Sequence, residues 1–228
     1  MQINLTLLQN VALFNGIETE NLSGLLACIG ATRRSYDKNE MIFQNGDEVV
    51  ALGIVLRGNV QIIKEDIYGN RTIIAQISEG GLFAEDFSCA QIKRLPVGVK
   101  AASDSDILFI NYRRIITTCT SACTFHNRLI ENMVGILAQK NVALGQKIDH
   151  LSHRTTREKL LSYLSGEAQK AGSNHFFIPY NREELADYLC VERSAMSHEL
   201  GKMRNEGLLR FNRSEFEINP VVLDHENH

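Results

Sequence analysis

Arg193, Ser194, Ser197, His198 and Lys202 fall close together in the stretch "RSAMSHELGKMRNEGLL", interleaved with Met196, Leu200 and Met203. The apolar residues recur at i, i+4 and i+7, which marks one side of a helix as buried. The opposite side is small, polar and cationic, a surface that lets a helix backbone enter a DNA major groove. Arg193 is placed there to read a guanine edge or hold a phosphate. Other residue types that do chemistry are scattered. The five cysteines (Cys28, Cys89, Cys119, Cys123, Cys190) are odd in number and widely spaced, which argues against a disulfide framework and fits a reducing compartment. Cys119 and Cys123 lie one helical turn apart, spaced for a redox or metal pair or for ordinary small-residue packing. His150 and His153 stand at i, i+3 with His126 upstream, without a cysteine or carboxylate at matching spacing for a metal. Glu85 and Asp86 are adjacent carboxylates, and on a strand they point to opposite faces, a poor acid/base pair. There is no P-loop, dinucleotide fingerprint, G-x-S-x-G or H-E-x-x-H, so the chain carries no enzyme signature.

The elements that must position these residues follow from periodicity. Leu5, Leu8, Val11 and Ala12, then Leu22, Leu25, Leu26 and Ile29, mark short N-terminal helices. From Met41 to Ile110 short apolar runs are punctuated by Gly46, Gly58, Gly69 and Gly80, a pattern of antiparallel strands. "IIKEDIYGNRTIIAQI" reads as a hairpin with Tyr68-Gly69-Asn70 at its turn. Ile130, Leu137, Leu144 and Leu151 then repeat every seven residues, with Val134, Asn141 and Ile148 at the alternate position. This is the seam of a two-stranded coiled coil, hence a dimer interface, or else one helix lying on its own domain.

Thr155-Thr156-Arg157-Glu158 and Asn181-Arg182-Glu183-Glu184 are capping boxes that start two further helices. Gly207 supplies a left-handed stop, and "LLRFNRSEFEI" makes a hairpin with Asn212-Arg213-Ser214 at its tip. Helix, tight turn, helix, glycine stop and hairpin together specify a winged helix-turn-helix. The expected organisation is α+β: residues 1–113 an antiparallel, jelly-roll-like β-roll with N-terminal helices, 114–150 a dimerisation helix, 151–228 the winged helix-turn-helix.

Composition sets bounds on this reading. With 228 residues and 44% apolar content the chain supports two modest domains. No run approaches about 18 consecutive apolar residues, and "MQINLTLLQN" lacks the basic and apolar regions of a signal peptide, so a cytoplasmic protein with no membrane contact is expected. The formal charge is -3, and from residue 151 onward ten Lys plus Arg face twelve Asp plus Glu. DNA contact must therefore come from a local face and from pairing two subunits.

With "LGIVLRGNVQIIKEDIYGNRTIIAQISEGGLFAEDFSCA", the long helix and "REELADYLCVERSAMSHELGKMRNEGLL" in view, the chain resembles the Crp/Fnr family of bacterial transcription regulators over nearly its whole length. The resemblance implies a β-roll that binds a small effector against the dimer helix, a homodimer on a palindromic operator of double-stranded DNA, and RNA polymerase as a partner. It also places Arg193, Ser194, Ser197 and His198 at the family's base and phosphate contacts, with Lys202, Arg182 and Arg213 as further DNA-binding candidates. His198 stands where an arginine is common in the family.

The implied effector residues are Glu85, Arg94, Leu95 and Leu144. Cyclic-nucleotide members carry Gly-Glu followed about ten residues later by Arg-Ser or Arg-Thr. Here the equivalents are Ala84-Glu85 and Arg94-Leu95-Pro96, and the positions that meet adenine become Leu144 and Gly145. The hydroxyl donor is missing and cyclic AMP does not fit. Arg94 remains able to hold another anion, or to pair with Glu85 or Asp86. Only Cys28 lies in the first eighty residues, which excludes the family's N-terminal four-cysteine iron-sulfur site. No cofactor is expected. Two other readings stand beside this one: a ligand sensor acting on a protein partner with a non-functional helix-turn-helix, and a Cys/His redox or metal sensor.

Overall fold

The computed structural model describes residues 5–49, 51–116 and 124–219, and the chain divides into two compact units, Met1–Asn141 and Val142–His228. Cys119 and Cys123 lie outside the described residues.

The first unit opens with α1 (Leu5–Leu8), a 3-10 turn at Ala12–Phe14 and α2 (Thr19–Cys28). Eight strands follow: β1 (Thr32–Tyr36), β2 (Met41–Phe43), β3 (Leu52–Arg57), β4 (Asn59–Glu65), β5 (Arg71–Ser78), β6 (Leu82–Phe83), β7 (Gly98–Ala101) and β8 (Ser105–Ile110). They form two four-stranded sheets, ordered β1-β8-β3-β6 and β2-β7-β4-β5, with every pairing antiparallel. This is the expected β-roll. β4 and β5 make the anticipated hairpin. The Asp66 carboxylate closes its turn by accepting the N–H groups of Tyr68 at 2.8 Å and Asn70 at 2.9 Å.

Alternate residues of the central strands enter two different cores. Val55, Ile107 and Phe109 join Val60, Val99 and Phe83 in one cluster, whereas Leu52, Ile54, Leu56, Leu108 and Ile110 join Leu13, Phe14, Leu22 and Leu25 of the helices in the other. Both faces of β3 are therefore covered, which is why its run "LGIVLR" shows no polar alternation. Gly53 is required there, since a Cβ would lie 2.1 Å from Cζ of Phe83.

Two short helices, α3 (Glu85–Cys89) and α4 (Tyr112–Ile116), precede the long helix α5 (Thr124–Ser152). Glu85 and Asp86 thus begin a helix, not a strand as the apolar run around them suggested. The long helix was expected to begin at 114, but 114 falls in α4 and α5 begins at Thr124.

The second unit takes the last turns of α5 with α6 (Thr156–Ala171), β9 (His175–Phe177), α7 (Arg182–Leu189), α8 (Arg193–Asn205), β10 (Leu209–Asn212) and β11 (Glu215–Ile218). Both capping boxes form as anticipated. The wing hairpin gains a third strand, in the order β10-β11-β9. The unit boundary falls inside α5, earlier than 151, because its last turns pack on α6 and α7. His150 Nδ1 lies 2.7 Å from the Ser162 hydroxyl, and the Lys147 ammonium sits 4.0 Å above the Tyr188 ring. That ring stacks on Tyr180 and meets Tyr163.

Burial drives the Lys147 pKa from 10.5 down to about 8, with the nearby Cys190 pulling the other way. Burial also raises the Tyr188 hydroxyl to about 12 and pushes that of Tyr163 up. Between pH 8 and 10 the unfolded chain binds a proton that folded Lys147 has lost. Stability should therefore rise with pH across that window by up to about 2 to 3 kcal/mol, then fall above pH 10 as the unfolded tyrosines ionise. Thermal melts at stepped pH check this: Lys147→Met should abolish the rise between 8 and 10 while leaving the alkaline fall.

Candidate nucleic-acid interface and effector niche

α8 is anchored by Met196, Leu200 and Met203, all buried, against α6 and α7. Its other side is solvent-facing: Arg193, Ser194, Ser197, His198 and Lys202 are exposed on this single helix, and Gly201 is half-buried among them. The tight turn before α8 uses Cys190 in the left-handed conformation, φ 52°, as the end of α7. Arg213 occupies the wing tip, exposed, also left-handed at φ 54°.

Three details were not legible in the sequence. Arg182, expected at the DNA surface, is turned inward, with its guanidinium carbon 4.6 Å from the Phe211 ring centre and 4.9 Å from that of Phe216. Burial lowers its pKa, and Nη2 is buried without a hydrogen bond. Arg182 is thus a wedge between α7 and the wing, and its candidacy as a DNA contact is withdrawn. Lys202 lies 3.7 Å from Glu199, which Arg157 of α6 also meets at 3.4 Å while pairing with Glu206. Glu192, not singled out by sequence, caps α8 by accepting the N–H groups of Ser194 at 2.8 Å and Ala195 at 3.3 Å.

Along α5, Val134, Leu144 and Ile148 of the heptad are 62%, 47% and 66% exposed, and Asn141 is exposed with them. Ile130, Leu137 and Leu151 are half-buried, Leu137 packing on the helical core of the first unit. A second stripe, Leu129, Met133 and Ile136, is what holds α5 to its own domain. The reading of this helix as lying on its own domain holds for the Leu129, Met133 and Ile136 stripe, and Val134, Leu144 and Ile148 are left as exposed apolar residues beside it.

Lys140 continues that second stripe at i+4 from Ile136 and reaches Glu85. Glu85 is fully buried at the start of α3, with Lys140 Nζ 2.5 Å from its Oε1. Lys140 also donates to the Leu82 carbonyl at 2.6 Å. Arg94 is exposed and donates to the Gly46 carbonyl at 2.8 Å, so it pairs with neither Glu85 nor Asp86. Leu95 is a core residue between the sheets. Of the expected effector residues in the first unit, Glu85 is paired internally, Arg94 faces out and Leu95 is packed away, and Leu144 is exposed on the part of α5 that belongs to the second unit. A cleft of about 830 Å³ in the first unit is lined by Glu48, Ser88, Lys93, Tyr112 and Arg113 among others, and by neither Glu85 nor Arg94. Among the described residues no group of three or more His, Cys, Asp or Glu side chains could hold a metal, and no helix is long and apolar enough to cross a membrane.

The comparisons with known proteins follow this division. Residues 33–121 match the cyclic nucleotide-binding domain and residues 158–221 the Crp-like helix-turn-helix domain. The chain is 24% identical to the Cyclic AMP receptor protein of Thermus thermophilus over 214 residues, 92% of this chain and 94% of that protein. The fold is similar to FixK2 from Bradyrhizobium japonicum, with a TM-score of 0.68 at 19% identity, covering 86% of this chain and 96% of that one. It is also similar to a mutant of CooA from Carboxydothermus hydrogenoformans, with a TM-score of 0.72 at 19% identity, covering 100% and 97%. A β-roll sensor fold joined to a winged reader defines a DNA-binding transcription regulator. The chain belongs to the Crp/Fnr family.

Removing one member of a buried ion pair leaves the other charge without compensation, whereas removing both costs much less. Lys140→Met should destabilise the protein by about 3 kcal/mol, and Lys140→Met with Glu85→Gln by less than that single change, in urea unfolding.

Proposed function

We propose that this protein acts as a homodimer on a roughly palindromic operator, inserting α8 of each subunit into successive major grooves about one helical turn apart. The observation that carries the reading is the division of α8: three apolar residues seat it, and Arg193, Ser194, Ser197 and His198 are all exposed on the side left over. Arg193 reads a base edge, His198 and Lys202 face phosphates, and Arg213 at the wing tip adds a backbone contact. The exposed Val134, Leu144 and Ile148 support α5 as the dimer seam, with Asn141 fixing its register. In the cytoplasm such a dimer acts on RNA polymerase at promoters carrying the operator.

A small effector acting through the β-roll is part of this reading, and cyclic AMP is not that effector. The Thermus thermophilus relative is named for cyclic AMP, but this chain spends Glu85 on Lys140, buries Leu95 and turns Arg94 to a backbone carbonyl. A sugar phosphate would meet neither a free carboxylate nor a hydroxyl donor beside the arginine. The rival reading, a sensor that acts on a protein partner, draws on the acidic balance of the second unit.

Binding measurements separate the two, because phosphate neutralisation releases counterions and makes affinity fall steeply with salt. Arg193→Ala should weaken operator binding by about 1 to 3 kcal/mol and leave random DNA nearly unaffected. An equal loss on both would reduce Arg193 to a phosphate contact, and flat salt dependence would favour the protein partner. Ile148→Glu should convert the dimer to monomer in sedimentation at micromolar concentration.

A further inference from the structure

Glu192 precedes α8 in extended conformation, φ -73° and ψ 130°, and its side chain folds over the helix end. Three donors converge on one oxygen, Oε2: the backbone N–H groups of Ser194 and Ala195, and the Ser194 hydroxyl. These hydrogen bonds, the Ser194 side chain first, hold the carboxyl below its ordinary range, so it is an anion at neutral pH. The residue is exposed, and Oε1 takes none of these three bonds and keeps its capacity to accept.

An anion at this place has two effects on DNA contact. It already occupies the positive end of the helix, so that end does not serve as a phosphate clamp, and it repels phosphates nearby. The groove groups a fixed carboxylate does attract are base amino groups, and the cytosine N4 amino group is the usual partner of Glu or Asp. The exposed face of α8 points to such a partner independently. Helices of this type present their N-terminal residues to base edges, and Arg193, next in the chain, carries the fork that matches guanine. The Ser194 hydroxyl is engaged by Glu192, which makes Ser194 a positioning residue for the carboxylate.

We propose that Glu192 is a specificity-determining residue that accepts a hydrogen bond from a cytosine N4 amino group in each half-site, while its charge lowers affinity for DNA that lacks this cytosine. The proposal rests on the DNA-binding reading of α8. It assigns the acidic character of the second unit a use, because repulsion from the wrong sequence sharpens discrimination as effectively as attraction to the right one.

The test is selection of binding sites from randomised double-stranded DNA by the full-length wild type, Glu192→Gln and Glu192→Ser. Serine is a good helix cap, so this variant keeps the helix start and removes only the reader. The wild type should favour cytosine at one position of each half-site by about fivefold or more. Glu192→Gln should move that preference toward adenine, Glu192→Ser should erase it there alone, and both should bind random DNA more tightly at low salt. A Glu192→Ser variant that selects the wild-type motif unchanged, or that loses affinity equally for every sequence, overturns the proposal and leaves Glu192 as a cap. A wild type that selects no motif overturns the DNA reading of α8 itself.

Discussion

The central strands of the β-roll are buried on both faces, and much of the first unit follows from that. Leu52, Ile54, Leu56, Leu108 and Ile110 would form an exposed apolar face if the two sheets stood alone. At roughly 1.5 to 3 kcal/mol for each large apolar side chain removed from water, this face must be covered. The N-terminal helices and the Leu129, Met133, Ile136 stripe of α5 cover it. The long helix is thereby held to the sensor fold by the Leu129, Met133 and Ile136 stripe, while Val134 on the adjoining face stays exposed.

Inside that arrangement the charged groups follow a different logic from the apolar ones. Glu85 is a carboxylate with no exposure, and burial of an unpaired charge is among the costliest events in folding. The ammonium that compensates it comes from α5, two turns beyond Met133, so the same helix that closes the core also neutralises the niche. Breaking that pair would leave a buried carboxylate without a compensating charge.

The reader unit is economical in positive charge. Arg157 is committed to Glu199 and Glu206, Arg182 to the rings of Phe211 and Phe216, and Lys147 to the Tyr188 ring. These cations hold the elements of the second unit together. Arg193, Lys202 and Arg213 stay exposed on α8 and at the wing tip.

Local pattern in the sequence was enough for the capping boxes at Thr155 and Asn181, the turn at Gly69, the apolar seat of α8 and the heptad of α5. Each of these depends on neighbours within a few residues or on a repeat along one helix. β1, whose "TRRSY" carries no apolar alternation, was invisible because its place depends on pairing with β8 across seventy residues of chain. The partners of Glu85, Arg94 and Arg182 were equally hidden. Each was a charged residue with several plausible companions in the sequence, and only the folded chain decides which lies within reach. Lys140 meets Glu85, a carbonyl meets Arg94, and aromatic rings meet Arg182. By itself the sequence determined the class of protein and which side of α8 is buried. Tertiary structure alone decided which charges are spent internally and which remain to act, because a charge's role depends on distance and burial, and neither is written along the chain.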